Sequence, residues 1–204
     1  CIRSTRVSNF TPLSKLSRLK ILIIDHAVRL EDLAFLTELK KLRALFIRDA
    51  KRLTDISPLS RLPKLEELTL RCGIWNKLHL SSLEPIKHLE CLQFLHLAPM
   101  MKNGSLEPLS HLNNLKVLTL SPLFPLEEYA KLYGRLHKVS CPNFDDLTDS
   151  LPDMPCKKCK QNSLVLLTGC GGRKYCTTCH KTKIESVKKM FYDIAEKSRK
   201  GSAW

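Results

Sequence analysis

The chain contains no arrangement of residues that sequence alone would mark as catalytic. There is no GxSxG elbow, no GxxxxGK phosphate loop and no HExxH helix. Gly169, Gly171 and Gly172 make one isolated turn, too little for a nucleotide loop. Seven histidines are scattered from His26 to His180, and His96, which should face outward from a strand, has no sequence-visible nucleophile. No apolar run is long enough to span a bilayer, and no signal peptide is visible. Acidic residues are scarce: 34 Lys and Arg face only 20 Asp and Glu, a net charge of +14. The nine cysteines are an odd number without the paired pattern of a disulfide framework. These absences point to a non-enzymatic protein of a reducing, cytoplasmic setting, with no membrane and no small-molecule substrate.

What is present is periodicity. An apolar residue recurs at every third position and then closes with a two-residue step, five times over. The units are Val7, Phe10, Leu13, Leu16, Leu19, Leu22, Ile24; then Leu30 to Ile47; Leu53 to Leu70; Leu80 to Leu97; and Asn103 to Leu120. Of these 35 positions only Asn103 is polar, so chance is a poor explanation. The unit starts are spaced by 23, 23, 27 and 23 residues, a period that marks a stacked solenoid. The closing step alternates at period two, so Leu22 and Ile24 point one way while Ile21, Ile23 and Asp25 point the other. One short strand per coil predicts a parallel sheet. The three-residue spacing before it suits 3₁₀-like coil, where i and i+3 side chains eclipse.

The LxxLxL units resemble the short-repeat class of leucine-rich repeat proteins, as in bacterial internalins, over roughly residues 7 to 141. Ser57-Pro58-Leu59 and Glu107-Pro108-Leu109 resemble that class's convex-side turn. The resemblance implies an α/β solenoid with a parallel sheet on its concave face, and a role in binding. The class usually carries Asn three residues beyond the last strand leucine. Here those positions are Ala27, Ala50, Gly73, Met100 and Leu123, so the backbone there needs other partners.

Residues 126–136 place Leu126, Tyr129, Leu132, Tyr133 and Leu136 at helical spacing, which predicts a helix capping the solenoid. Residues 137–141 read as a last edge strand. Four extra residues around Arg71 to Lys77 predict a loop with Trp75 at its tip, either a contact residue or folded back on the neighbouring coil. The ending Gly201-Ser202-Ala203-Trp204 looks like the start of an affinity-tag linker.

A second module is built on cysteine. Cys156 and Cys159, then Cys176 and Cys179, form CxxC-x16-CxxC, the spacing of a four-thiolate structural zinc site. Residues 164–167 predict a strand, 169–172 a turn and 173–175 a return strand. Ile184, Val187, Met190, Phe191 and Ile194 then recur at helical spacing. The pattern resembles a treble-clef or zinc-ribbon module. Cys170 and His180 are left over, as turn and flanking residues. A two-zinc RING needs about eight ligands, and too few are here. The expected organisation is 1–141 repeats with cap, 142–155 linker, 156–200 zinc module and 201–204 tag remnant.

Residues 156–200 hold 12 Lys or Arg and 3 acids, so much of the basicity lies in the zinc module. Such a patch meets phosphate or an acidic protein, or simply covers a solvated helix. On the outward strand face, Ile21, Ile23, Phe46, Phe94 and Val117 form an apolar centre with Arg48, Arg71 and His96 beside it. An apolar centre with an Arg-containing rim is how protein interfaces are built. The sequence therefore predicts a protein-binding module, of which an inhibitor or immunity-type protein is one use. The rival is a nucleic-acid-associated adaptor anchored by the basic zinc module.

Overall fold

The computed structural model describes residues 1–3, 7–72, 77–101, 104–121, 123–136, 138–145 and 147–201. Trp75, Asn103, His137 and residues 202–204, on which expectations were placed, lie outside them. The chain divides into two compact units, Cys1–Leu120 and Ser121–Trp204.

The first unit follows the repeat. Its strands are β1 (Ile2–Arg3), β2 (Ile21–Asp25), β3 (Ala44–Arg48), β4 (Glu67–Arg71), β5 (Leu78–Leu80), β6 (Phe94–Met101) and β7 (Val117–Leu120). They lie in the order β1-β2-β3-β4-β6-β7, all parallel, and β5 pairs with the far end of β6. A short extra strand thus follows the four extra residues, with Leu78 beside Pro99 and Leu80 beside Met101. Leu78 joins the core, which the repeat pattern does not foretell.

The leucine spacing has a hydrogen-bonding counterpart. The Leu36, Leu39 and Leu42 amides donate to the Leu33, Leu36 and Leu39 carbonyls at 2.9 Å, the i to i−3 bond of 3₁₀ structure. Thus one residue in three turns its side chain inward and closes the coil with its backbone. Leu59, Leu62 and Leu65, and Ile86, Leu89 and Leu92, repeat the arrangement. The short helical segments Thr11–Lys15, Ala34–Glu38, Ser57–Arg61, Glu84–His88 and Glu107–His111 sit in these runs.

Where the Asn ladder is missing, the coil satisfies itself. The Ala27 carbonyl accepts from the Leu30 amide at 2.9 Å, and Ala50 from Leu53 at 3.1 Å. Between coils, one carbonyl just before each strand accepts twice from the next coil. Lys20 takes Arg43 and Ala44, Arg43 takes Glu66 and Glu67, Glu66 takes Gln93 and Phe94, and Gln93 takes Lys116 and Val117. The core between sheet and turns is almost wholly leucine, with Leu33, Leu45, Leu59, Leu68 and Leu97 fully buried. Val7 and Leu16 depart from the pattern at 49% and 48% exposure.

The second unit differs from the expected boundaries. Helix α1 (Leu126–Arg135) was expected to end the solenoid; it falls instead in the second unit. The expected linker is structured: α2 (Pro142–Asp145) is followed by β8 (Thr148–Ser150). Strands β9 (Leu164–Leu167) and β10 (Lys174–Cys176) complete an antiparallel sheet in the order β10-β9-β8, and α3 (Lys181–Arg199) closes the chain. The expected edge strand reduces, within the described residues 138–141, to a single bridge at Ser140.

The reason lies in what α1 buries. Tyr133 packs its ring against Phe144, Phe191 and Tyr192, with centroids 5.3, 5.5 and 6.1 Å away. The Ser198 hydroxyl donates to the Lys131 carbonyl at 3.1 Å. Gly134 lies against the Ala195 carbonyl, so a methyl there would overlap it and stand 3.0 Å from Ser198 Cβ. Helix α1 is thus cut to fit α3. Met190 was expected on the apolar stripe but is 49% exposed, because the covered face of α3 runs through Ile184, Phe191, Ala195 and Ser198.

Gly134→Ala should lower the stability of the second unit by about 1–3 kcal/mol, the usual cost of overpacking. Denaturant unfolding followed by helix signal checks this. An unchanged midpoint would show that the two helices separate without cost.

Candidate functional site

The strand register builds the outward face row by row. Ile21, Ala44, Glu67, Phe94 and Val117 are lateral neighbours, as are Ile23, Phe46, Thr69, His96 and Thr119. The third row is Asp25, Arg48, Arg71 and Ala98. These are the rows read from the sequence. Alternation forces the face: Leu22, Leu45, Leu68, Leu95 and Leu118 turn to the core, so their neighbours cannot.

Three large apolar residues of the first row stand open, Ile21 at 58%, Phe94 at 42% and Val117 at 38% exposure. Ile23, Phe46, Arg48 and His96 are half-buried, and Arg71 is exposed. Phe46 is therefore less available than Phe94. Glu67, Thr69, Phe94, His96, Val117 and Thr119 line a shallow hollow of about 220 Å3. Burial, then the charges of Arg71 and Arg48, hold the His96 imidazole below its ordinary pKa. The lowering favours its neutral form at pH 7.

A second hollow of about 220 Å3 lies at the ends of β2, β3 and β4, lined by Asp25, His26, Arg48, Asp49, Arg71 and Cys72. His26 Nδ1 meets Asp49 Oδ2 at 2.8 Å, and His26 Nε2 lies 4.0 Å from Asp25. Both His26 and Asp49 have positive φ, 54° and 57°, which turns them over the strand ends. Arg48 Nη1 lies 3.7 Å from Asp25 Oδ2, while its Nε is buried without a hydrogen-bond partner. Burial, then Asp49, pushes the Cys72 thiol up to about 11, so it is not an activated nucleophile. Donor atoms of Asp25, His26 and Asp49 come within 4.8 Å of one another. Two guanidiniums line the same hollow, however, and oppose a cation there. His26 had looked merely scattered. The signal that finds this group is positional: Asp25-His26, Arg48-Asp49 and Arg71-Cys72 occupy the same place in successive coils.

In the second unit the sequence-predicted thiols converge. The Sγ atoms of Cys156, Cys159, Cys176 and Cys179 lie within 4.8 Å of one another, and those of Cys159 and Cys176 are 3.6 Å apart. A tetrahedral ion with metal–sulfur bonds of about 2.3 Å needs sulfurs roughly 3.8 Å apart. Each CxxC wraps its own first sulfur. The amides of Cys159 and Lys158 aim at Cys156 and lower its pKa. The amide of Cys179 and the Ser163 hydroxyl, 3.0 Å away, bring Cys176 down to about 5. Hydrogen bonds to the charged form favour thiolate. Burial, then the neighbouring thiols, pushes Cys179 up to about 12. The donor set and spacing fit a metal. Cys170 is not in the cluster; it packs beside Val165, Leu167, Tyr175 and Ile184. His180 turns its Nδ1 to accept the Cys176 amide at 3.0 Å, bracing the knuckle.

No family model matches the chain, and no curated protein matches it. Solved structures do. A leucine-rich repeat protein of Leptospira interrogans aligns over 69% of this chain and 36% of that one, at 22% identity and a TM-score of 0.55. The fold is a leucine-rich repeat. Two Listeria monocytogenes internalins match less closely in shape. Internalin F covers 67% of this chain and 44% of its own, at 20% identity and TM-score 0.49. Internalin C2 covers 56% and 50%, at 25% identity and TM-score 0.45. The chain thus spans half or less of the length of these leucine-rich repeat structures. Among the described residues, no helix is long and apolar enough to cross a membrane.

Proposed function

We propose that the leucine-rich repeat unit binds a protein partner on its outward strand face, without catalysing a reaction. The second unit is held together by one structural zinc ion. The observation that carries the first part is the open apolar row Ile21, Phe94 and Val117, continued by Ile23 and Phe46. A sheet face left to water is mostly polar. Apolar side chains gathered on one face mark an interaction surface. Arg48, Arg71 and His96 complete the face at one end. Neutralising an effector by direct contact is one use it would serve.

For the second part, Cys156, Cys159, Cys176 and Cys179 would hold the ion. Four thiolates close its coordination and leave no position for a substrate, so its contribution is structural. Reduced thiols suit a reducing, cytoplasmic setting.

The test pairs affinity with melting. With a partner recovered by pull-down from the native host, Phe94→Ala should weaken binding about thirtyfold, the loss of roughly 2 kcal/mol typical of a hot-spot aromatic. Its melting temperature should barely move, because Phe94 is 42% exposed. Phe46→Ala is the less clean probe, since its half-buried ring also contributes stability. Unchanged affinity in Phe94→Ala would remove the strand face as the binding site.

A further inference from the structure

We infer that the partner is an acidic protein surface. It presents a carboxylate to Arg48 and Arg71, beside apolar side chains that seat on the Phe94–Val117 end of the same face. This rests on the reading of the strand face as the binding surface, and adds the chemistry of what binds there.

The argument begins with the third row. Strand pairing sets Arg48 directly beside Arg71, with Asp25 on the far side of Arg48 and Ala98 on the far side of Arg71. Like charges side by side on neighbouring strands are unfavourable unless a counter-charge sits between them. The nearby carboxylates do not meet this need. Asp25 is shared, 3.7 Å from Arg48 Nη1 and 4.0 Å from His26 Nε2. Asp49 is engaged by His26 at 2.8 Å and by the Arg71 carbonyl through its amide at 3.0 Å. Among the described residues Arg71 makes no ion pair, and Arg48 Nε is buried without a hydrogen-bond partner. On the adjoining row His96 favours its neutral form and offers no negative charge.

A carboxylate entering over this row would take bidentate bonds from the guanidiniums, the geometry Arg is shaped for. The same face then sets its spacing. Glu67 and Phe94 share the first row, four residues before Arg71 and Ala98 on their strands. At about 3.3 Å per residue, the acidic contact lies about 13 Å from the open apolar row. A polyanion fits less well. Asp25 and Glu67 stand on the same face and would repel a phosphate chain laid across it. The first two rows, meanwhile, offer apolar side chains rather than cations.

A phage-displayed library of random linear dodecapeptides, selected against the whole chain at physiological salt, tests this. Selected peptides should carry Asp or Glu near Leu, Ile or Phe. Their affinity, read by fluorescence polarisation, should fall at least tenfold in both Phe94→Ala and Arg71→Glu. Changing the peptide's acid to Lys should restore binding to Arg71→Glu, and Arg71→Lys should bind weakly. Arg71 is exposed, so melting should be unchanged in these variants. Peptides that respond to Phe94→Ala but carry no acidic preference and ignore Arg71→Glu overturn this inference and leave the binding face standing. Peptides indifferent to Phe94→Ala overturn both. A labelled oligouridine 20-mer that binds the chain and is lost in Arg71→Glu assigns the arginines to nucleic acid and overturns the inference.

Discussion

Cys159→Ser should unfold the second unit and leave the first one folded. Structural zinc in small modules contributes on the order of 10–16 kcal/mol of apparent binding energy. The four thiols tie the end of β10 and the approach to α3 to the loop before β9, so their release frees both strands. Because Tyr133 packs on Phe191 and Tyr192, the helix signal of α1 should be lost along with that of α3. Wild-type protein purified without chelator should contain one zinc per chain by elemental analysis. The variant should show one melting transition in place of two, and limited proteolysis should trim it back toward Leu120, not Cys141. Zinc-free wild type with an intact second transition would end the metal reading.

Leu68→Ala should cost about 2–5 kcal/mol, the range for emptying a buried leucine site. Leu68 is fully buried at the second position of β4, between Leu45 and Leu95 on the neighbouring strands. A solenoid has no other core to share the loss, since each coil touches only its neighbours. Urea unfolding of the first unit measures the effect. The comparison with Phe94→Ala matters most: the two residues lie on paired strands one position out of phase. A large loss for Leu68 with little for Phe94 verifies the in-and-out alternation. Equal losses would mean that the face described as open is packed in solution.

The leucines carried most of the first unit in plain sight. Period three followed by period two specifies both the 3₁₀ bonding and the strand, so the register of Ile23, Phe46, Thr69, His96 and Thr119 could be written down in advance. A second, polar repeat went unread. Asn9, Asp32, Asp55, Ser82 and Ser105 share the repeat spacing, and each side chain accepts the amide two residues on, at 2.7 to 3.3 Å. These are Asx and Ser turns that start each helical segment. The four thiols were legible because CxxC is a local motif. The place of α1 was not: its apolar stripe says that a face is buried, but not against what. Gly134 was the clue, a small residue where one helix backbone meets another. The His26, Asp49 and Arg48 group was hidden because its residue type changes from coil to coil, so only the shared position of Asp25-His26, Arg48-Asp49 and Arg71-Cys72 marks it.

The pairing of α1 with α3 also orders events in time as the chain is made. Each repeat can dock on the one before it as soon as it emerges, so the solenoid grows with synthesis. Helix α1 cannot settle in the same way. Of the three aromatic partners of Tyr133, only Phe144 follows closely; Phe191 and Tyr192 lie nearly 60 residues downstream. At roughly 5–20 residues per second, the helix waits several seconds with part of its apolar stripe uncovered. During that interval the side of Tyr133 that Phe191 and Tyr192 later cover stays open to a chaperone.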